Sequence, residues 1–351
     1  MSRRLTLAYP GDLDSRTGGY LYDRRLALEL EALGWQVDRL SLPAGFPFPS
    51  AADLATTATT LGELPAGSTV LVDGLALGAM PDLAAPLAAR LDLVALVHHP
   101  LCLETGLAPV QAAALAASER TALADARAVI VTSARTAGSL TELFAVPPAK
   151  LTVALPGTDV VPVARGSDGH GCRMICVGTI TPRKGHLVLV EALAELRDLD
   201  WDLVCAGSLT RDPPTAAALQ ALIREQALDP RVRLVGELDA DGLAALYDGA
   251  DLFVSASFYE GYGMALAEAL ARGLPIVAAS GGAVADTVPA DAGLLVPVED
   301  ADALALALRR FLTDPTLASS LRHGALVARR SLPAWQETAL QVERTLMSVD
   351  A

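Results

Sequence analysis

Two carboxylates, Glu260 and Glu268, interrupt the otherwise alanine-rich stretch FYEGYGMALAEALARGLPIVAAS at residues 258–280. The preceding DLFVSAS reads as a strand, so Glu260 falls in the loop at its carboxyl end and a helix begins near Gly263. The N–H groups of Gly263, Met264 and Ala265 have no partner inside that helix, and such a terminus favours a phosphate. Glycines at 261 and 263 let a ligand approach the backbone. Glu268 would repel a phosphate, but it could accept hydrogen bonds from sugar hydroxyls, as acidic residues do with ribose in dinucleotide folds. Taken alone, the pair could also be a solvated helix start balancing the helix dipole. The glycines and the flanking strands favour a ligand.

A second stretch, VGTITPRKGHLVLVEAL at 177–193, sets Thr179, Thr181, Arg183 and Lys184 in a loop between a strand and a helix. Arginine offers a planar fork and lysine a compact charge, a combination suited to a diphosphate. A third, DLVALVHHPLCLETG at 92–106, ends a buried-looking strand in His98 and His99. Neither histidine has a cysteine or carboxylate at metal-ligand spacing. Either could be a hydrogen-bonded edge residue or a polar group aimed at a ligand. In the fourth, Gly18 and Gly19 open a helix after a strand, yet the dinucleotide fingerprint and the P-loop are both missing. Cys102, Cys172, Cys176 and Cys205 fit no zinc spacing and read as small buried thiols.

These loops need elements to hold them, and the chain alternates strand and helix throughout. RLTLAY (4–9), WQVDRLSL, TVLVDG, DLVALVHH and RAVIVTS read as strands; residues 18–34, 101–126 and SARTAGSLTELF read as helices, the last capped by Ser133. KLTVALPGTD closes this half, and residues 156–171 read as a linker. The alternation then restarts and runs to DADALALALRRFL, followed by a final helix in 333–351. Short apolar strands alternating with helices imply parallel sheets covered on both faces. Two such series imply an α/β chain of two Rossmann-like domains, 1–162 and 163–332, with sheets facing across a central cleft where ligands bind.

The net charge is −14 and hydrophobic residues make up 52% of the 351. Both halves are acidic on balance, which argues against nucleic acid or anionic lipid as a partner. No run is apolar enough to span a membrane, and the amino terminus reads as a strand where a signal peptide would stand, so a cytoplasmic chain is expected. The alanine, leucine and arginine usage suggests a bacterial source.

Together these motifs resemble the retaining nucleotide-sugar glycosyltransferases of family 4, which have the GT-B fold. The resemblance spans nearly the whole chain. It rests on the E-x7-E motif (Glu260, Glu268 in EGYGMALAE), the loop VGTITPRKG, the paired glycines and the histidine after an amino-domain strand. It implies that Glu268 binds the ribose. Arg183, Lys184 and the backbone of Gly263, Met264 and Ala265 would hold the diphosphate of a UDP- or GDP-sugar. Glu260 would sit beside the donor sugar, and His98 would contact that sugar. Gly18 and Gly19 would line the donor or acceptor side, and His99 is the second candidate for the sugar contact. Apart from the resemblance, His99 and Glu104 in LCLETGL are the candidate acceptor residues. The final helix would cross back to the amino-terminal domain. One departure is Thr179, where many members carry an arginine; Arg183 is the candidate replacement.

The expected reaction is transfer to a soluble small-molecule or glycan acceptor, with retention by same-face substitution and without metal or other cofactor. The D-x-D triplets at Asp12/Asp14, Asp198/Asp200 and Asp239/Asp241 read as chance. A related epimerase or phosphorylase, or a non-catalytic sugar-nucleotide binder, is the alternative. Donor base, acceptor, linkage and oligomeric state are not legible.

Overall fold

A computed structural model of the chain describes residues 3–167, 169 and 171–349. Residues 168 and 170 of the expected linker and the last two of the terminal segment lie outside the described residues. The chain forms two compact units, Met1–Gly157 with Pro333–Ala351, and Thr158–Leu332.

The first unit runs β1 (Arg4–Pro10), α1 (Gly18–Ala32), β2 (Gln36–Leu42), α2 (Ala51–Gly62), β3 (Thr69–Asp73), α3 (Gly74–Leu77), α4 (Pro81–Ala88), β4 (Asp92–Val97), α5 (Pro109–Asp125), β5 (Ala128–Val131), α6 (Ala134–Phe144) and β6 (Leu151–Val153). Its sheet has the order β2-β1-β3-β4-β5-β6, and every pairing is parallel. β3, β5 and nearly all of β4 are fully buried, as strands covered on both faces must be. Local chemistry sets the helix starts: Ser133 accepts from Thr136 N ahead of α6, and Ser50 and Asp53 form a capping box at α2.

The second unit runs β7 (Cys172–Val177), α7 (His186–Ala194), β8 (Trp201–Ala206), α8 (Pro213–Glu225), β9 (Val232–Gly236), α9 (Ala240–Asp248), β10 (Leu252–Ser255), α10 (Met264–Ala271), β11 (Ile276–Ala279), α11 (Val284–Thr287), β12 (Gly293–Val296), α12 (Ala301–Thr313) and α13 (Pro315–Ala328). Its parallel sheet is ordered β12-β11-β10-β7-β8-β9. One core packs Leu189, Leu219 and Leu308 against one face, and a second packs Tyr247, Leu266 and Ala325 against the other. The last helix, α14 (Trp335–Val349), returns to the first unit. There Thr345 donates to Thr152 at 2.9 Å, Thr338 to Leu155 O at 2.6 Å, and Trp335 meets Tyr22 edge-on at 5.7 Å. Gly157 admits that return, since a Cβ there would lie 2.2 Å from Trp335 N.

Three expectations need correction. The helix expected over 101–126 starts only at Pro109; a single 3-10 turn, Leu101–Leu103, precedes it, and Gly106 at φ +82 breaks the path. The strand DLVALVHH ends at Val97, so both histidines lie beyond it. Nor is the expected linker free chain. Arg329 donates to Val161 O at 2.6 Å, Arg322 to Ala164 O at 2.9 Å, and Ala164 N to Arg272 O at 2.9 Å. These bonds place 158–162 with the second unit and move the division from 162/163 to 157/158.

Candidate functional site

In the second sheet, strand order reverses between neighbours β7 and β10. Ligands of open parallel sheets bind at such a switch point, beyond the strands' carboxyl ends. The two stretches singled out in the sequence leave from these two strands. Their loops are tied together, because Phe258 N donates to Arg183 O at 2.8 Å. Gly185 makes the approach possible: it sits at φ +64, and a Cβ there would lie 2.0 Å from Ala256 O.

Lys184 Nζ lies 2.7 Å from Glu260 Oε1, while Arg183 Nη1 lies 3.8 Å from Glu260 Oε2 and donates to Tyr259 O at 2.7 Å. Glu260 is 9% exposed. Burial alone would raise its pKa, but Lys184 and then Arg183 outweigh that and hold the carboxyl below its ordinary range. The cluster of Arg183, Lys184 and Glu260 therefore carries one net positive charge.

Beside it, α10 starts at Gly263, at φ +91, with no side chain capping its first turn. Glu268 Oε2 accepts from Tyr247 Oη at 3.0 Å, and Arg272 stacks over the Tyr247 ring at 4.6 Å. Burial raises the Glu268 pKa, with Tyr247 and Arg272 pulling the other way. Thr179 is half-buried, beside Gly207, where a Cβ would lie 1.9 Å from Gly178 O. Sequence reading missed Gly281 and Gly282, whose Cβ atoms would lie 2.2 Å from Phe258 O and 2.3 Å from Glu260 O. They let the loop after β11 brace Glu260, whose backbone bridges Gly282. Paired glycines after a strand were the available signal.

In the first unit, His98 Nε2 lies 3.0 Å from Asp23 Oδ1, and His99 Nε2 lies 3.3 Å from Glu104 Oε2. Gly19 lies against the His98 ring, since a Cβ there would be 3.2 Å from Cδ2; Gly18 is exposed. Asp23, Asp73 and Glu119 were not singled out in the sequence. Glu119 is buried and accepts from Leu101 N at 2.8 Å and Cys102 N at 3.2 Å, which fixes the turn after the histidines. A cavity of about 500 Å³ at the ends of β1 and β2 is lined by Asp12, Asp14, Arg24 and Arg39 among others, and by none of the expected site residues.

The D-x-D aspartates have local tasks. Asp12 accepts from Asp14 N at 2.9 Å, Asp198 pairs with Arg309 at 2.7 Å, and Asp239 caps α9 through Gly242 N at 2.8 Å. Sequence spacing did not unite Cys176, His186 and Cys205, but the fold does: the register of β7 and β8 pairs the two cysteines, and the start of α7 brings His186 to them, with the three polar atoms within 4.8 Å of one another. A metal-binding histidine normally hands its second nitrogen to a partner. Among the described residues His186 Nδ1 is buried without one, so the trio fits a thiol–imidazole contact of 3.6 Å better than a metal centre.

Residues 171–314 match the family model described as glycosyl transferases group 1. The D-inositol 3-phosphate glycosyltransferase of Jonesia denitrificans is 31% identical over 232 residues, 60% of this chain and 54% of that protein. Its counterpart from Salinispora tropica is 30% identical over 247 residues, 63% and 50%. The chain thus spans about half the length of these relatives. Sucrose-phosphate synthase from Thermosynechococcus elongatus superposes with a TM-score of 0.83 at 25% identity, covering 99% of this chain and 98% of that one. Anabaena HepE in complex with UDP-glucose gives 0.77 at 18%, over 98% and 99%. Residues 171–314 thus match the glycosyl transferases group 1 family, and the chain has the two-domain α/β fold of GT-B type that these structural neighbours share.

Proposed function

We propose that the chain transfers a sugar from a nucleoside diphosphate sugar to a soluble acceptor, with retention of configuration and without a metal. The observation that carries this reading is the Lys184–Glu260 pair at 2.7 Å, with Arg183 beside it and the uncapped start of α10 in the neighbouring loop. Lys184, Arg183 and the N–H groups of Met264 and Ala265 would take up the charge developing on a departing diphosphate, which is preorganised electrostatic catalysis. An arriving phosphate would compete with Glu260 for Lys184 and free that carboxylate to meet a sugar hydroxyl. A carboxylate held ionised by two cations is a poor nucleophile, which favours same-face substitution over a covalent intermediate. Glu268, already hydrogen-bonded by Tyr247, is the group offered to the ribose.

Uridine is the favoured base, since the HepE neighbour is described with UDP-glucose bound. The relatives named for inositol 3-phosphate and the neighbour named for sucrose-phosphate make a phosphorylated polyol or sugar the first acceptor to assay. Among the described residues no helix is long and apolar enough to cross a membrane. A cytoplasmic location goes with this reading.

Thermal unfolding with UDP, GDP, ADP, CDP and dTDP tests it, in wild type and Glu268→Ala. A ligand at a hundredfold excess over its Kd stabilises by about 2.7 kcal/mol. UDP should raise the midpoint in wild type and not in the variant. No shift with any of the five would overturn the donor assignment. Loss of turnover in chelator, restored by Mg²⁺, would overturn metal independence.

A further inference from the structure

The first unit buries a charged cluster that the donor site does not use. Asp23 lies on α1 and is 0% exposed, which is costly for a carboxylate unless it is paired. Its Oδ1 lies 3.0 Å from His98 Nε2, and its Oδ2 has no hydrogen-bond partner among the described residues. Asp73 ends β3 and is buried as well. Gly74 permits its approach, because a Cβ there would lie 3.0 Å from Leu96 O on β4, the strand that delivers His98. Polar atoms of Asp23, Asp73 and His98 lie within 4.8 Å of one another. Arg25, on the same helix as Asp23, pairs with Glu29 at 3.5 Å. Tyr22 meets the His98 ring edge-on at 5.3 Å and donates to Ala154 O, Thr132 Oγ1 donates to His98 O, and Arg25 lies over the Trp335 ring.

We propose that Asp23, seconded by Asp73, is the positioning residue for His98: a buried carboxylate pair that shares one proton, fixes the ring with Nε2–H inward, and stabilises its imidazolium so that Nδ1 can donate to the substrate. This deepens the reading given under Proposed function and rests on it for the substrate. A proton on Asp73 would satisfy the orphaned Asp23 oxygen. In keeping with that, burial and then the Asp23 charge raise the Asp73 pKa to about 7. Burial disfavours the imidazolium of His98, but the charge and hydrogen bond of Asp23 outweigh it and the His98 pKa is raised.

The test needs no turnover. Side-chain NMR of the ligand-free protein follows its five histidines through a pH titration, with His98 assigned by its loss in His98→Gln. Asp23→Asn should lower the proton affinity of His98 about tenfold or more, the usual effect of removing a contacting opposite charge. Asp73→Asn should turn a broad, coupled titration curve into a simple one. An unchanged His98 midpoint in Asp23→Asn overturns the proposal. If that variant does not fold, a wild-type His98 curve that is already simple overturns it instead. With a donor in hand, Asp23→Asn should also shift the alkaline limb of the kcat profile to lower pH while KM for the donor changes less than about threefold. Failure to turn over any donor would sink the transferase reading and leave the titration result standing.

Discussion

The two units solve one electrostatic problem with opposite signs. In the second, a buried carboxylate is held by two cations, and Lys184 and Arg183 pull the Glu260 pKa down against burial. In the first, a half-buried imidazole is backed by two carboxylates, and Asp23 pushes the His98 pKa up against burial. Both stand just past the carboxyl ends of parallel strands, near the place where strand order reverses. The difference lies in where the partners come from. Glu260 and its cations occupy two short loops that a single glycine lets touch, whereas Asp23, Asp73 and His98 come from a helix, a strand end and the loop after another strand, with 75 positions between the first and the last. Under the proposed function, the first arrangement would exchange its internal ion pair for a ligand's charge. The second is walled in and can only tune one ring.

Removing the lysine strikes that contrast hardest. Lys184→Met should cut kcat/KM with the best donor by about 10²–10³, the usual loss when one preorganised charge at a developing anion is deleted. It also strands Glu260 with Arg183 at 3.8 Å. In wild type the lowered Glu260 pKa contributes stability that is present above its unfolded value and lost as pH falls through the folded one. That acid-limb contribution should shrink in the variant. A variant with full turnover and an unchanged acid limb would mean the pair is only a surface contact.

A smaller effect separates the glycine that joins the loops from one that merely turns the chain. Gly185→Ala must adopt φ +64 and place a methyl 2.0 Å from Ala256 O, whereas Gly34→Ala meets only a positive φ with nothing within 4 Å. The first should lower stability by about 3 kcal/mol or more and weaken nucleotide binding; the second should cost about 1 kcal/mol and leave binding alone. Equal losses of stability, with binding intact in both, would show that the loops hold their geometry without this contact.

This contrast also explains what could be read from sequence. The alternation of strands and helices, the two sheets and the motif residues from Thr179 to Lys184 and Glu260 to Glu268 were legible, because each motif lies within a few residues of a strand end. α2, α4 and α13 were passed over, although each opens on a legible signal, the Ser50–Asp53 capping box or a proline in the first turn. Asp23 looked like one more charge on an amphipathic helix. Only the fold shows it fully buried against a ring 75 positions away. The turn at Leu101–Leu103 was misread as helix because the local breaker Gly106 was overlooked and the groups that hold the turn, the carboxylate oxygens of Glu119, come from far along the chain. The terminal helix carried no sign of its partner in its own residues, and only the family resemblance pointed to the first unit; Gly157 admits the helix there by lacking a side chain.

Glu119 gives the smallest and most discriminating test of the carboxylate-rich side. Burial raises its pKa from 4.5 to about 7, against the backbone N–H groups of Leu101 and Cys102 that favour the charged form. The folded state therefore holds a proton that the unfolded chain has released between those two values. The sign follows by linkage: this residue's contribution is full below pH 4.5, declines as pH rises toward 7, and is constant above. Over that window the shift corresponds to roughly 3 kcal/mol at most. Asp73, raised to about 7 as well, should add a decline of the same sign. Glu119→Gln keeps an oxygen for one of the two N–H groups, gives up the acceptor of the other, and cannot ionise. Its denaturant midpoint, measured from pH 5 to 8, should therefore fall less steeply with pH than that of wild type, and the two curves should converge or cross toward the alkaline side. Parallel curves would mean that Glu119 is already ionised in the folded protein. The turn after the histidines would then be held by a charge-assisted bond, in the manner of the Glu260 site in the second unit.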